Sequence, residues 1–127
     1  MILDTNIIVW VLRAHPRAIA FVDRLPLAER NVSSISHMEL LRGCRDKLDM
    51  EQTLRLIEEE LGETVPVDEK MTKLAIDLMK KYALARRPGV PDLLIAATAM
   101  TRGEVLATEN VKDFQYIPGL RLKPFIR

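Results

Sequence analysis

Apolar and polar positions along this chain fall into short blocks whose period switches repeatedly, and each switch marks a change between strand and helix. Residues 1–3 are an apolar run ended by Asp4-Thr5-Asn6, which suit capping and turning, and the apolar stretch 7–12 follows at once. That predicts a strand leading into a helix. Pro16 opens a second helix with Ala18, Phe21, Val22 and Leu25 on one face, closed by Pro26. The β-branched stretch 32–35 predicts a second strand, and a third helix begins near Ser36, where Ser36-x-x-Glu39 has the form of a capping box. Between 49 and 61, Met50, Leu54, Ile57 and Leu61 make a narrow seam on a charged helix, with Gly62 as its stop. Residues 64–67 predict a third strand, which Pro66 confines to a sheet edge. Asp68 then caps a helix in which Met71, Leu74, Ala75, Leu78, Met79 and Tyr82 keep i, i+3, i+4, i+7 spacing until Arg86-Arg87-Pro88-Gly89 breaks it. Pro91 starts a helix to about Arg102 whose first turns are apolar on every side, Gly103 ends it, residues 105–108 form a fourth strand, 109–114 a helical turn, and 120–125 a last strand after Pro118-Gly119.

Strands alternating with helices imply an α/β sandwich, a mainly parallel sheet of four to five short strands covered on both faces. At 127 residues, 48% of them apolar, the chain reads as a single domain over 1–127. The longest apolar run, 7–12, is far below the roughly 18 residues of a membrane span, and the opening Met1-Ile2-Leu3-Asp4 lacks a basic leader, so a cytoplasmic protein without membrane attachment is expected. One cysteine and two histidines exclude a disulfide framework and a thiolate or imidazole zinc cluster. A net charge of +1 announces no polyanion partner through its global field.

The chemistry is carried by acids. In open parallel sheets ligands bind beyond the carboxyl ends of the strands. Asp4 follows the first strand, Glu39 lies one helical turn past the second, Asp92 heads the apolar helix, and Asn110 and Asp113 follow the fourth strand. Each has a plain structural use, as an N-cap for Asp4, a capping-box partner for Glu39, a helix-dipole complement for Asp92 and a turn residue for Asp113. Together, beside segments fit for burial, several ionised carboxylates need cations. Oxygen ligands without Cys or His suit Mg²⁺ or Mn²⁺, and such sites serve phosphoryl chemistry. Arg42, Arg86 and Arg87 adjoin these segments and are the candidates for holding substrate phosphates. Aromatic content is only 5%, which argues for recognition of a phosphate-bearing substrate through shape and phosphates rather than a stacking platform; Trp10, Phe21 and Tyr82 read as core or interface.

Four motifs stand in order: Leu3-Asp4-Thr5-Asn6, Glu39-Leu40-Leu41-Arg42-Gly43, the run from Pro91-Asp92 to Ala99, and the run from Ala107-Thr108 to Phe114. With them the chain resembles PIN-domain ribonucleases, and the ending Ile117-Pro118-Gly119-Leu120 is similar to the VapC toxins of type II toxin-antitoxin modules. The resemblance implies a Mg²⁺- or Mn²⁺-dependent endoribonuclease acting on structured RNA, usually a homodimer, held inactive by a cognate VapB-type antitoxin. It implies Asp4, Glu39 and Asp92 as the acidic residues, with Asp4 and Asp92 the principal ligands. Asn110 stands where the family often has a fourth acid, so Asn110 or Asp113 takes that place. Thr108 matches a supporting hydroxyl, and Thr5 and Asn6 adjoin Asp4 as lesser candidates. The seam on the fourth helix is a candidate surface for a dimer or antitoxin, or ordinary core. Two other readings stay open: a PIN-like module that binds RNA or protein without cutting, on account of Asn110, and an aspartyl-phosphate phosphatase with Asp4 as nucleophile. The phosphatase requires an acid where Asn6 stands.

Overall fold

The computed structural model describes residues 1–127. Five short strands form the frame: β1 (Ile2–Leu3), β2 (Val32–Ser33), β3 (Thr64–Val65), β4 (Leu106–Thr108) and β5 (Leu122–Pro124). Every ladder is parallel, β1-β4-β5 on one side and β2-β3 on the other. A parallel bridge between Ile2 and Asn31 joins the two parts, giving the order β3-β2-β1-β4-β5. Around the sheet run α1 (Thr5–Leu12), α2 (Pro16–Asp23), α3 (Ser34–Arg42), α4 (Lys47–Glu60), α5 (Glu69–Arg86) and α6 (Val90–Arg102).

Because side chains alternate along a strand, two-residue strands still feed two cores. Ile2 and Leu106 pack with Met71, Leu78, Leu93 and Ile95, under α5 and α6. Leu3 and Ala107 pack with Ile7, Val22, Leu40, Ile57 and Phe125, under the helices of the other face. The sandwich expected from the alternation is therefore present. As its composition predicts, α6 is buried nearly all round, and Ala96, Ala97 and Ala99, each fully buried, let it lie close to both α5 and the sheet. No helix is long and apolar enough to cross a membrane.

Three local expectations are corrected. The second strand stops at Ser33, whose hydroxyl accepts from the Ile35 N–H at 3.1 Å, so α3 begins at Ser34. Ser36 is thus inside the helix and fully buried, and the capping box with Glu39 does not form. The α4 seam holds at Ile57 and Leu61, both buried, but not at Leu54. Thr53, Leu56 and Ile57 are the buried positions within α4, Leu54 is exposed, and the helix starts at Lys47, where the Asp46 carboxylate accepts from the Asp49 N–H. α4 ends because Leu61 is already extended, and Gly62 after it answers a close approach rather than stopping the helix. A Cβ there would lie 2.6 Å from the Leu27 carbonyl oxygen and 2.7 Å from Asn31 Oδ1, so only glycine fits between them. The terminal strands also shorten: β3 ends before Pro66 but does lie at the sheet edge, and β5 spans only Leu122–Pro124.

Candidate active site

All strands being parallel, their carboxyl ends open along one edge, and the residues that follow them meet there. Asp4 leaves β1 with its own N–H bonded to the Ala107 carbonyl at 2.9 Å, which fixes its backbone beside β4. It is the N-cap of α1, so the capping use holds, and only 5% of it is exposed. One carboxylate oxygen accepts from the Thr5 N–H at 2.8 Å and the other from the Thr108 hydroxyl at 2.7 Å. The Thr108 oxygen in turn accepts from the Asn110 N–H at 3.0 Å, which aims the hydroxyl proton at Asp4.

Thr5 joins this end of β1 to α3. Its hydroxyl lies 2.8 Å from both Glu39 Oε1 and the Ser36 hydroxyl. With Glu39 ionised, the single Thr5 proton goes to Glu39 and Ser36 donates to Thr5, a chain of two hydroxyls that orients an exposed carboxylate. Asp92 sits at the third position of α6 behind Gly89, which offers no capping side chain, and no hydrogen bond or ion pair holds its carboxylate.

Electrostatically these acids form one set. Burial, then the charges of Asp4, Asp113 and Glu39, push the Asp92 carboxyl up to about 6. Burial is also the largest cause raising Asp4; its hydrogen bonds to Thr108 and Thr5 oppose it, and Glu39 and Asp113 add to it. No cation of the protein relieves the repulsion, since every ion pair lies elsewhere. Asn6 adds a buried amide oxygen with no partner, the chemistry of a further hard-cation donor. No three acids close into a finished metal cage. The donor set instead fits an open site of the kind Mg²⁺ favours, held through one or two carboxylates and completed by waters and substrate phosphate.

Of the residues singled out by sequence, Asp4, Thr5, Glu39 and Thr108 are linked by hydrogen bonds, and Asp92 and Asp113 by charge. Asn110 contributes its backbone N–H to Thr108 and its side chain makes no cap hydrogen bond, while Asp113 acts on Asp4 and Asp92 through its charge. Arg42, Arg86 and Arg87 are exposed and pair with no acid. Two residues went unrecognised. Ser36 was hidden by its resemblance to a cap, although its spacing of three from Glu39 puts both on one helix face. Tyr116 carries no sequence signal, yet it feels the charges of Asp92 and Asp113.

The family model of the PIN domain matches residues 1–120. The chain belongs to the PIN-domain family. Among PIN-domain relatives, it is 34% identical over 125 residues to ribonuclease VapC1 of Haemophilus influenzae, spanning 94% of this chain and 92% of that one. It is 32% identical over 125 residues to the tRNA(fMet)-specific endonuclease VapC of Salmonella typhimurium, spanning 95% and 94%. Its backbone matches a chain of the DNA-bound VapBC of Salmonella typhimurium with a TM-score of 0.83 at 29% identity, over 98% of this chain and 97% of that one. This membership disposes of the phosphatase reading, which already lacked its acid at position 6.

Proposed function

We propose that this chain is the endoribonuclease toxin of a VapBC-type toxin-antitoxin pair, cutting RNA with water activated by Mg²⁺ or Mn²⁺. The observation that carries the reading is the Asp92 carboxyl, lifted to about 6 among Asp4, Asp113 and Glu39 with no protein cation to answer them. Such a cluster is costly unless something cationic binds it.

When bound, the divalent ion supplies charge neutralisation at the scissile phosphate and activation of the attacking water. Asp4 and Asp92 would hold it, Glu39 would complete the acid set, and Asp113 rather than Asn110 would assist. The protein's part is orientation. Thr108 and the Thr5 N–H each occupy one oxygen of Asp4, so its remaining lone pairs have a fixed direction. Thr5 and Ser36 do the same for Glu39. Arg42, Arg86 and Arg87 would bring RNA phosphates to an edge that otherwise repels them.

Similar chains of the same length occur in VapBC complexes and in a toxin-antitoxin complex of Klebsiella pneumoniae, and a cognate antitoxin is the partner of this chain as well. The groove between α1, α2 and α4 combines apolar Ile8, Val11, Ile19 and Leu56 with charged Arg55 and Glu59, a mixed lining suited to an amphipathic helix of that partner. We place the whole of 1–127 in one domain acting as a homodimer.

The test is cleavage of total RNA by the purified chain with Mg²⁺ or Mn²⁺. Asp4→Asn and Asp92→Asn are each expected to lose at least roughly 1,000-fold in rate, with unchanged circular dichroism, and a chelator to stop the wild-type chain. Undiminished cleavage by either variant overturns the assignment. RNA binding without any metal-dependent cleavage by the wild-type chain establishes the non-cutting module instead.

A further inference from the structure

Beside the acids, one aromatic group has no part in the chemistry above. Tyr116, two residues beyond Phe114 after the 3-10 turn Val111–Asp113, meets Tyr82 of α5 edge-on, with ring centroids 4.9 Å apart at 68°. The Arg86 guanidinium lies over the Tyr116 ring, 5.1 Å from its centroid, and Lys81 Nζ lies 5.5 Å from that of Tyr82. The Tyr116 hydroxyl is buried and bonds to nothing, so the ring and not the hydroxyl is what this position uses.

The location is the flank of the acid set. Burial is the main cause raising the Tyr116 phenol, Asp92 and Asp113 add to it, and Arg86 opposes it, so the phenol stays neutral beneath its cation. The turn leaving α5 reaches the same place: a Cβ on Gly89 would lie 3.8 Å from Asp92 Oδ2. Arg86 is exposed, forms no ion pair or side-chain hydrogen bond, and rests on the ring. A guanidinium so held retains all its donors for an incoming anion, and its planar fork matches a phosphate.

We infer that Tyr116 is a positioning residue for substrate, its ring holding Arg86 beside the acid pocket to grip an RNA phosphate next to the one that is cut. This rests on the nuclease reading above and adds a specific backbone-binding subsite to it. Arg42 and Arg87, without such a support, are not part of that subsite.

The test uses a fluorescent oligoribonucleotide that the wild-type chain cleaves, with KM, kcat and the salt dependence of kcat/KM as readouts. Arg86→Gln, at an exposed position, and Tyr116→Leu are each expected to raise KM about three- to tenfold with kcat within about twofold, and to flatten the logarithmic salt slope by about 0.7. Tyr116→Phe keeps the ring and is expected to match wild type in all three. An unchanged KM and salt slope in Arg86→Gln overturns the inference while leaving the nuclease reading intact, as does a Tyr116→Leu loss confined to kcat and melting temperature. Absence of cleavage by the wild-type chain with either ion overturns the nuclease reading itself.

Discussion

The two ends of the same parallel sheet treat charge in opposite ways. At the amino ends of the strands, Glu104 accepts from the Met1 ammonium at 2.7 Å, from the Asn31 amide at 3.1 Å and from Arg102 at 3.2 Å, and Arg102 reaches on to Glu63 at 2.8 Å. Burial works to raise the Glu104 carboxyl, but these partners outweigh it and hold it below its usual range. At the carboxyl ends, Asp92 is raised by burial and by the charges of Asp4, Asp113 and Glu39, and Asp4 by burial and the charges of Glu39 and Asp113, with no ion pair to either. One end is a completed network that stabilises the fold. The other is an unanswered set of carboxylates that protonation or an added cation would relieve, the kind of local cost that functional sites carry.

That contrast can be broken by measurement. Asp92→Asn in metal-free protein at pH 7.5 is expected to raise stability by roughly 2 kcal/mol, after allowance for screening on its solvent side, or about 7 °C in melting temperature. The sign follows from linkage. With its folded pKa near 6 and its unfolded value at 3.8, Asp92 binds more protons folded than unfolded between these values, so wild-type stability falls as pH rises through that window. The advantage of the variant should therefore be absent below about pH 4 and complete above about pH 7. A variant no more stable than wild type at pH 7.5 denies that local cost.

Glu104→Gln is expected to cost about 1–2 kcal/mol at pH 7 in urea unfolding, without change in kcat for RNA. Here the folded pKa is depressed, so the contribution is present above the unfolded value of 4.5 and is lost as pH falls through the lower folded one. A loss of cleavage in Glu104→Gln denies that the two ends are separate. The smallest effect is expected at the fourth acid. Asp113→Asn should lower kcat/KM roughly fivefold, about 1 kcal/mol, and Asn110→Asp should change it less. The reverse order returns the fourth place to position 110.

Much of the fold was legible because its signals are local. The spacing from Met71 to Tyr82 and the all-round apolar start of α6 report helix faces directly. The errors fall where two local rules compete. Ser33 and Ser36 both qualify as caps, and only the end of pairing with β3 at Val65 decides for Ser33. In α4, Leu54 and Leu56 are equally apolar, and which one turns inward depends on the helices it meets.

By itself the sequence determined the succession of strands and helices and the acids at positions 4, 39 and 92 as oxygen donors of the type hard cations take, since these follow from residue type and near-neighbour spacing. Only the tertiary structure decided that Thr108 and Thr5 hold Asp4, that Thr5 and Ser36 hold Glu39, that Asp113 joins the repulsion, and that Arg86 rests on Tyr116. Those relations cross separations such as the 104 residues between Asp4 and Thr108, where contact is set by the packing of the sheet and not by periodicity.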